Sequence, residues 1–301
     1  VDLIERIEFV PGPGSAVYGS NAFFGVVNVV TKTGEAVGRT EASAEVASRD
    51  TTKARLSHGQ RYANGLDMLV SATTYHRSGQ DMYFPEFDDA TTNGVAQDLD
   101  HDRSKQFFYK ASYGAFSLAT AYSSRTKGIP TAAFGQAFND PRSETTDEQA
   151  FVDLKYRDRL SDTLQINANA FIGHYLYDGI YVYSGTPPVL NNDESHGDWW
   201  GGELRFLSTA LARHKLVFGA EYRNNTHQDQ SNYDASPDYF SYLDDKRNGS
   251  MSGIYAQDEY ALSDQWTINA GARYDHIVQG THDNVINPRL AVIYKPQAAT
   301  S

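Results

Sequence analysis

Apolar and polar side chains alternate with a period of two along most of this chain. In residues 266–275, Trp266, Ile268, Ala270, Ala272 and Tyr274 share one face, and Thr267, Asn269, Gly271, Arg273 and Asp275 share the other. In residues 164–174, Leu164, Ile166, Ala168, Ala170 and Ile172 oppose Gln165, Asn167, Asn169 and Gly173, and Leu216, Phe218, Ala220 and Tyr222 oppose Lys215, Gly219, Glu221 and Arg223. Period two is the strand period. It predicts twelve strands, over 37–48, 51–58, 65–77, 104–113, 115–126, 146–157, 163–177, 197–208, 213–227, 249–261, 265–278 and 287–294. Apolar on one face and polar on the other suits a strand that separates lipid from a polar lumen. A soluble sandwich alternates as well.

The connections separate these two readings. Every second one is short: 61–64, 114, 158–162, 209–212 and 262–264. Those between are long and polar: 78–103, 127–145, 178–196 and 228–248. Outer-membrane barrels have short periplasmic turns and long outer loops, and a Greek-key sandwich has no reason to keep that rhythm. The expected fold class is all-β, a partial transmembrane antiparallel β-barrel of about twelve strands.

The first 32 residues break the pattern. Two apolar runs, 4–10 and 26–30, flank fifteen residues with Gly12, Gly14, Gly19, Gly25, Pro11 and Pro13. Glycines that tolerate positive φ and prolines that fix φ make tight turns between strands. An ornate hairpin turn is one reading of that spacing. Its wording is more specific: I-E-R-I-E-F-V-P-G-P-G-S-A-V-Y-G-S-N-A-F-F-G-V-V-N-V-V-T-K. The segment resembles the end of the plug domain of TonB-dependent outer-membrane receptors, through Glu5, Arg6, Ile7, Glu8, Gly12, Pro13, Ser15, Tyr18, Gly19, Ala22, Gly25, Val26, Asn28, Thr31 and Lys32. It departs from the family pattern at Pro11, where arginine is usual, and at Phe24, where a second glycine is common. Residues 271–275 and 287–296 resemble a mid-barrel stretch of the same family.

The resemblance implies a division at residue 34, with the C-terminal part of a plug in 1–34 and the N-terminal half of a barrel in 35–301. A barrel that holds a plug has about 22 strands. The expectation is therefore a fragment, without signal peptide, TonB-box, most of the plug and the second half of the barrel. The implied function is active uptake of a large scarce ligand, a ferric siderophore first. Cobalamin, haem, another metal chelate or a glycan are alternatives, and a barrel enzyme or adhesin is an alternative of another class. Implied partners are the TonB–ExbB–ExbD complex and outer-membrane lipid, and no cofactor is implied. Tyr18 matches a family tyrosine that touches ligand, and the turns holding Ser20, Asn21 and Phe23 are expected to face a vestibule.

Composition sharpens this picture at three points. No run reaches the roughly 18 apolar residues of a spanning helix. The formal net charge of −12 leaves no basic stripe for a nucleic-acid partner. The chain has no cysteine, hence no disulfide or thiolate site. No catalytic set emerges. Asp98, Asp100 and Asp102 resemble the start of a calcium loop, but its sixth and twelfth places hold Arg103 and Tyr109 instead of Gly and Glu. No metal set is assigned; His174 and His196 bracket one long connection, and a metal between them is the one such hypothesis that the histidines offer, against a surface or rim role as the default for each. The aromatics Tyr83, Phe84, Phe87, Phe134, Phe138, Tyr175, Tyr177, Tyr181, Tyr183, Trp199 and Trp200 crowd the long connections. An interfacial girdle suits Tyr175 and Trp199 at strand ends. Tyr83, Phe84, Tyr181 and Tyr183, deeper in the loops, equally suit a vestibule for a bulky planar ligand.

Overall fold

The computed structural model describes residues 2–11 and 24–296. Strands β1 (Ile4–Pro11) and β2 (Gly25–Thr31) form a separate antiparallel pair with Glu8 opposite Asn28 and Val10 opposite Val26. A one-turn helix, α1 (Gly34–Val37), leads from this pair to the main sheet. There follow β3 (Thr40–Ala47), β4 (Thr51–Arg61), β5 (Asp67–Arg77), β6 (Met82–Tyr83), β7 (Val95–Ala96), β8 (Asp102–Tyr113) and β9 (Phe116–Gly128). The remainder is β10 (Glu144–Ser161), β11 (Leu164–Tyr183), β12 (Val189–Ser208), β13 (His214–Ser236), β14 (Phe240–Asp245), β15 (Gly249–Ala261), β16 (Trp266–Gln279) and β17 (Thr281–Tyr294).

Twelve strands pair antiparallel in the order β3-β4-β5-β8-β9-β10-β11-β12-β13-β15-β16-β17, and β14 pairs with the far end of β13. Among the described residues β3 and β17 are the two edges. The expected twelve-strand meander is therefore present. No helix among the described residues is long and apolar enough to cross a membrane, which says nothing about crossing by strands.

Register assigns the two faces. Opposed residues in an antiparallel pair project to the same side. Val152, Ile172, Trp200 and Asn224 form one register row, and Tyr156, Ala168, Leu204, Ala220, Ile254 and Tyr274 form another. The large side chains of this face are exposed, among them Ile172, Trp200, Leu204 and Ile254. It is the face that the sequence pattern assigns to lipid. Aromatic pairs edge it at both ends. His214–Tyr260 and Trp266–Tyr294 stack at 4.4 Å and Phe116–Tyr156 tilt together at 4.9 Å near the short connections, and Trp200–Tyr222 lie 5.4 Å apart near the long ones. On β9 Phe116 and Tyr122 are six residues apart and on β16 Trp266 and Tyr274 are eight, about 20–27 Å of strand, as two interfacial girdles require.

Three expectations are corrected here. The stretches 178–196 and 228–248 are mostly strand, because β11 and β12 continue to Tyr183 and from Val189, and β13 continues to Ser236. Beyond the apolar band both faces are polar, so alternation lapses while backbone pairing goes on. Second, β3 begins at Thr40, because 34–37 is helical: Thr33 caps it by accepting from Ala36 N and Gly38 ends it at φ 63°. Third, Tyr175 and Trp199 do not belong to the girdle. Trp199 opposes Gly173 and Tyr175 opposes Gly197 on the polar face, and Trp200 takes the lipid position. A Cβ at Gly173 would stand 2.2 Å from the Trp199 ring, so only glycine leaves room for it.

Candidate ligand vestibule and luminal wall

The polar face carries the chemistry. At its centre Arg273, 2% exposed at its side chain, donates to Asp275 at 2.7 Å and to Glu221 on β13. Tyr255 donates to Glu203 and lies under the Arg273 guanidinium at 5.5 Å. Arg223 lies 5.3 Å over the Trp199 ring. Buried charge is tolerable only when paired and hydrogen-bonded. Arg273 and Asp275 meet that condition through those bonds, while Arg273 Nη1 and Asp275 Oδ2 stay buried without a partner among the described residues.

Where β4 and β5 meet α1, the Asp67 carboxylate accepts from Gly34 N at 2.7 Å and Glu35 N at 2.8 Å. Lys110 on β8 reaches the Thr31 carbonyl and hydroxyl at 3.2 and 3.1 Å, and Lys53 on β4 reaches Asp2 at 3.0 Å. Thus the β1–β2 pair and its exit are tied to the polar face of β4, β5 and β8. Within the pair, Arg6 bridges Glu5 (3.2 Å) and Glu8 (2.6 Å), Asn28 donates to Glu8 at 2.8 Å, and Lys32 donates to the Asp2 carbonyl at 2.9 Å. Gly25 takes φ 155°, and a Cβ there would stand 2.8 Å from the Val10 carbonyl and from the Phe9 ring. Gly12, Pro13, Ser15, Tyr18, Gly19, Ser20, Asn21 and Phe23 lie outside the described residues.

The other candidates gather beyond the lipid, at the long-connection end. Tyr177 and Tyr181, two positions apart on the polar face of β11, share a hydroxyl hydrogen bond of 2.6 Å. Burial, then that bond, pushes the Tyr177 phenol up from its ordinary value. Tyr181 is 8% exposed, and Phe134 meets it edge-on at 5.6 Å. Tyr183, one step further out, is half-buried, and burial raises its phenol as well. In the loop between β5 and β8, Phe84 and Phe87 pack on Phe138 at 5.9 and 4.4 Å. Tyr83 stays exposed and donates to Asp88 at 3.1 Å. The structure thus joins Phe84 with Phe138, and Tyr181 with Phe134, across two different connections.

Below this aromatic rim a cleft of about 380 Å³ opens on the polar face, lined by Tyr175, Gly197, Gln228, Gln230, Arg247 and Gln279 among others. Arg247 is paired with Asp245 at 2.6 Å. Sequence reasoning missed this cleft because Gln228 and Gln230 lie on the extension of β13, beyond the last apolar alternation. Two acids of the Asp98–Asp102 run are consumed by cations: Asp100 pairs with Arg77 at 2.6 Å and with Lys127, and Asp102 holds Arg125 through two nitrogens at 3.0 and 2.5 Å. His174 and His196 do meet, ring centroids 5.5 Å apart, but as neighbours on paired strands facing away from the lumen.

The family profile described as TonB dependent receptor-like, beta-barrel matches residues 86–301. The vitamin B12 transporter BtuB of Vibrio vulnificus (strain CMCP6) is 28% identical over 264 residues, which cover 77% of this chain and 43% of that protein. Among solved structures, the pyoverdine outer membrane receptor FpvA of Pseudomonas aeruginosa PAO1 superposes with a TM-score of 0.74 at 11% identity, over 98% of this chain and 49% of that one. The siderophore receptor PiuA of Acinetobacter baumannii gives 0.65 at 15% identity, over 98% of this chain and 52% of that one. The chain spans about half the length of these relatives.

Proposed function

The chain belongs to the TonB-dependent receptor family, and from that premise we propose that it is a stretch of an outer-membrane receptor for active uptake of a ferric siderophore. Residues 1–34 are read as the end of its plug and 35–301 as the first half of its barrel. The machine sits in the bacterial outer membrane and draws on the TonB–ExbB–ExbD complex. It is a transporter and not an enzyme.

The observation that carries the reading is the partition of the sheet. One face is apolar, exposed and edged by aromatic rows, and the other holds an ion-paired belt below a polar, aromatic-rimmed cleft. Ligand capture at that rim, with Tyr83, Phe84, Tyr181 and Tyr183 beside Tyr18, Ser20, Asn21 and Phe23 of the plug turns, would precede plug movement. Siderophore-named structures among the fold neighbours support the ligand class. Cobalamin is the second reading, favoured by the likeness to the vitamin B12 transporter. Growth of a strain lacking the full-length receptor on single ferric chelates or on cobalamin tests both. Loss of growth on one ferric chelate supports the first, loss on cobalamin alone favours the second, and unchanged growth on all of them sinks both.

A further inference from the structure

On the outward face, one register step beyond Ile172 and Trp200, four side chains converge. Asp198 on β12 lies directly opposite His174 on β11 and opposite His227 on β13, and His196 precedes it by two residues on the same face. Its Oδ1 meets His174 Nδ1 at 2.6 Å, and its Oδ2 meets His196 Nε2 at 2.8 Å and His227 Nδ1 at 3.1 Å. The imidazoles of His196 and His227 are stacked at 4.8 Å, 14° from parallel.

The arrangement depends on a β-bulge. Between Asp198 and Trp199 the register with β13 slips by one, so that Thr226 is extra and His227 opposes Asp198. Without the slip, His227 would project to the polar face. Bulges re-aim side chains in this way and are frequent at working sites.

We propose that His174, His196, His227 and Asp198 form a transition-metal site on the lipid-side surface of the sheet, for a borderline divalent ion such as Zn(II). One carboxylate needs a single partner to fix its orientation, and here three imidazoles from three adjacent strands aim at it. Imidazole with carboxylate suits zinc and its first-row neighbours, whereas calcium and magnesium prefer oxygen alone. Ligand atoms of His174, His196 and Asp198 lie within 4.8 Å of one another. Zinc bonds of about 2.0–2.2 Å in a tetrahedron set neighbouring ligand atoms about 3.4 Å apart. The observed contacts of 2.6, 2.8 and 3.1 Å therefore open by about 0.3–0.8 Å, and ligand atoms that lie up to 4.8 Å apart draw in, as the ion replaces the shared protons. A cleft of about 540 Å³ beside His196, lined also by Glu194, Asp229 and Ser231, admits the ion and a water or exogenous ligand. The bound ion ties β11, β12 and β13 together where they leave the lipid. The site lies off the luminal path, so its test is separate from that of uptake.

The test uses the full-length receptor purified in detergent, with Zn(II) titrated calorimetrically and Co(II) followed by its visible absorption. The expected result is one ion per chain, bound at least tenfold more weakly in the His174→Ala/His196→Ala double variant and in Asp198→Asn, with loss of the Co(II) bands. Heat-modifiable gel mobility reports that the variants are folded. A measurement on the unaltered receptor stands beside them: Zn(II) should shield His174, His196 and His227 from diethylpyrocarbonate, read by mass spectrometry. Equal binding by wild type and variants, or equal modification with and without Zn(II), overturns the proposal.

Discussion

The Asp67 carboxylate accepts the backbone N–H of Gly34 at 2.7 Å, and through it fixes the exit of the β1–β2 pair against the polar face of β5. A Cβ on Gly34 would lie 2.1 Å from the Met68 carbonyl, so the close approach requires glycine there. Asp67 also accepts from Glu35 N, so its removal orphans two donors at a buried helix start. Leaving such donors unpaired costs about 1–3 kcal/mol. Asp67→Ala is expected to lower the unfolding midpoint of the full receptor and to expose 34–38 to limited proteolysis. Asp67→Asn, which keeps one acceptor oxygen, should fall between. Wild-type proteolysis in Asp67→Ala would deny the tether.

Arg273 offers a larger effect. It is the shared partner of Asp275, 1% exposed, and of Glu221. Breaking a buried pair from one side strands the remaining charge and costs about 3–5 kcal/mol. Arg273→Ala should therefore destabilise far more than the triple replacement Arg273→Met/Asp275→Leu/Glu221→Gln, which strands no charge. Equal losses in chemical denaturation would mean that the belt contributes by packing and not by pairing.

How much of this was legible in the sequence follows from where lipid ends. Within the apolar band, side chains alternate between an apolar and a polar face, so β16 and the first half of β11 announced themselves by period two. Beyond it, Asn191, Asn192, Asp193, Glu194 and Ser195 are polar on both faces, and nothing in their pattern told strand from loop. Parity from Leu204 was enough to place Trp200 outward and Trp199 inward. The position of His227 was not legible, since it turns on a one-residue slip at Thr226 that only cross-strand register reveals. The joining of Phe84 to Phe138 is likewise a matter of tertiary packing between two connections.

Orientation follows from the end at which β11, β12 and β13 run on past the apolar band and the connection between β5 and β8 lies. Asn93, Gly185 and Asp238 lie at one end of the sheet, and Asp162 and Ala210 lie in turns at the other. Cysteines introduced singly at the first three positions of the full-length protein in intact cells should react with an impermeant maleimide. Those at Asp162 and Ala210 should react only after the outer membrane is breached. The opposite pattern would invert the molecule.

Tyr183 and Tyr181 separate ligand contact from packing. Tyr181 is buried against Phe134 and bonded to Tyr177, whereas Tyr183 is half-buried at the rim. A stacked or hydrogen-bonded aromatic contact is worth on the order of 1–3 kcal/mol. Tyr183→Ala and Tyr18→Ala should weaken binding of the transported ligand by roughly ten- to a hundredfold with assembly intact. Tyr181→Ala should also loosen the connection carrying Phe134, seen as faster proteolysis there. Unchanged affinity in all three would place these tyrosines outside the ligand's reach.

The loop between β6 and β7 carries a pH dependence of its own. Asp89 accepts from the backbone and hydroxyl of both Thr91 and Thr92 at 2.7–3.0 Å. These bonds, the Thr91 hydroxyl first, hold its carboxyl down at about 2. In an unfolded loop an aspartate titrates near 3.9. A carboxyl whose folded value is depressed stabilises the folded form above the unfolded value, and that contribution fades as pH falls toward the folded one. The hairpin should therefore hold at pH 5 and loosen between about pH 4 and 2. Pepsin cleavage within 84–95, taken relative to cleavage at 184–188, should rise across that window. In Asp89→Asn the amide oxygen still accepts these four bonds but carries no titrating charge, so the ratio should not change between the two pH values. A flat ratio in the wild type would show that the Asp89 bonds do not hold the loop.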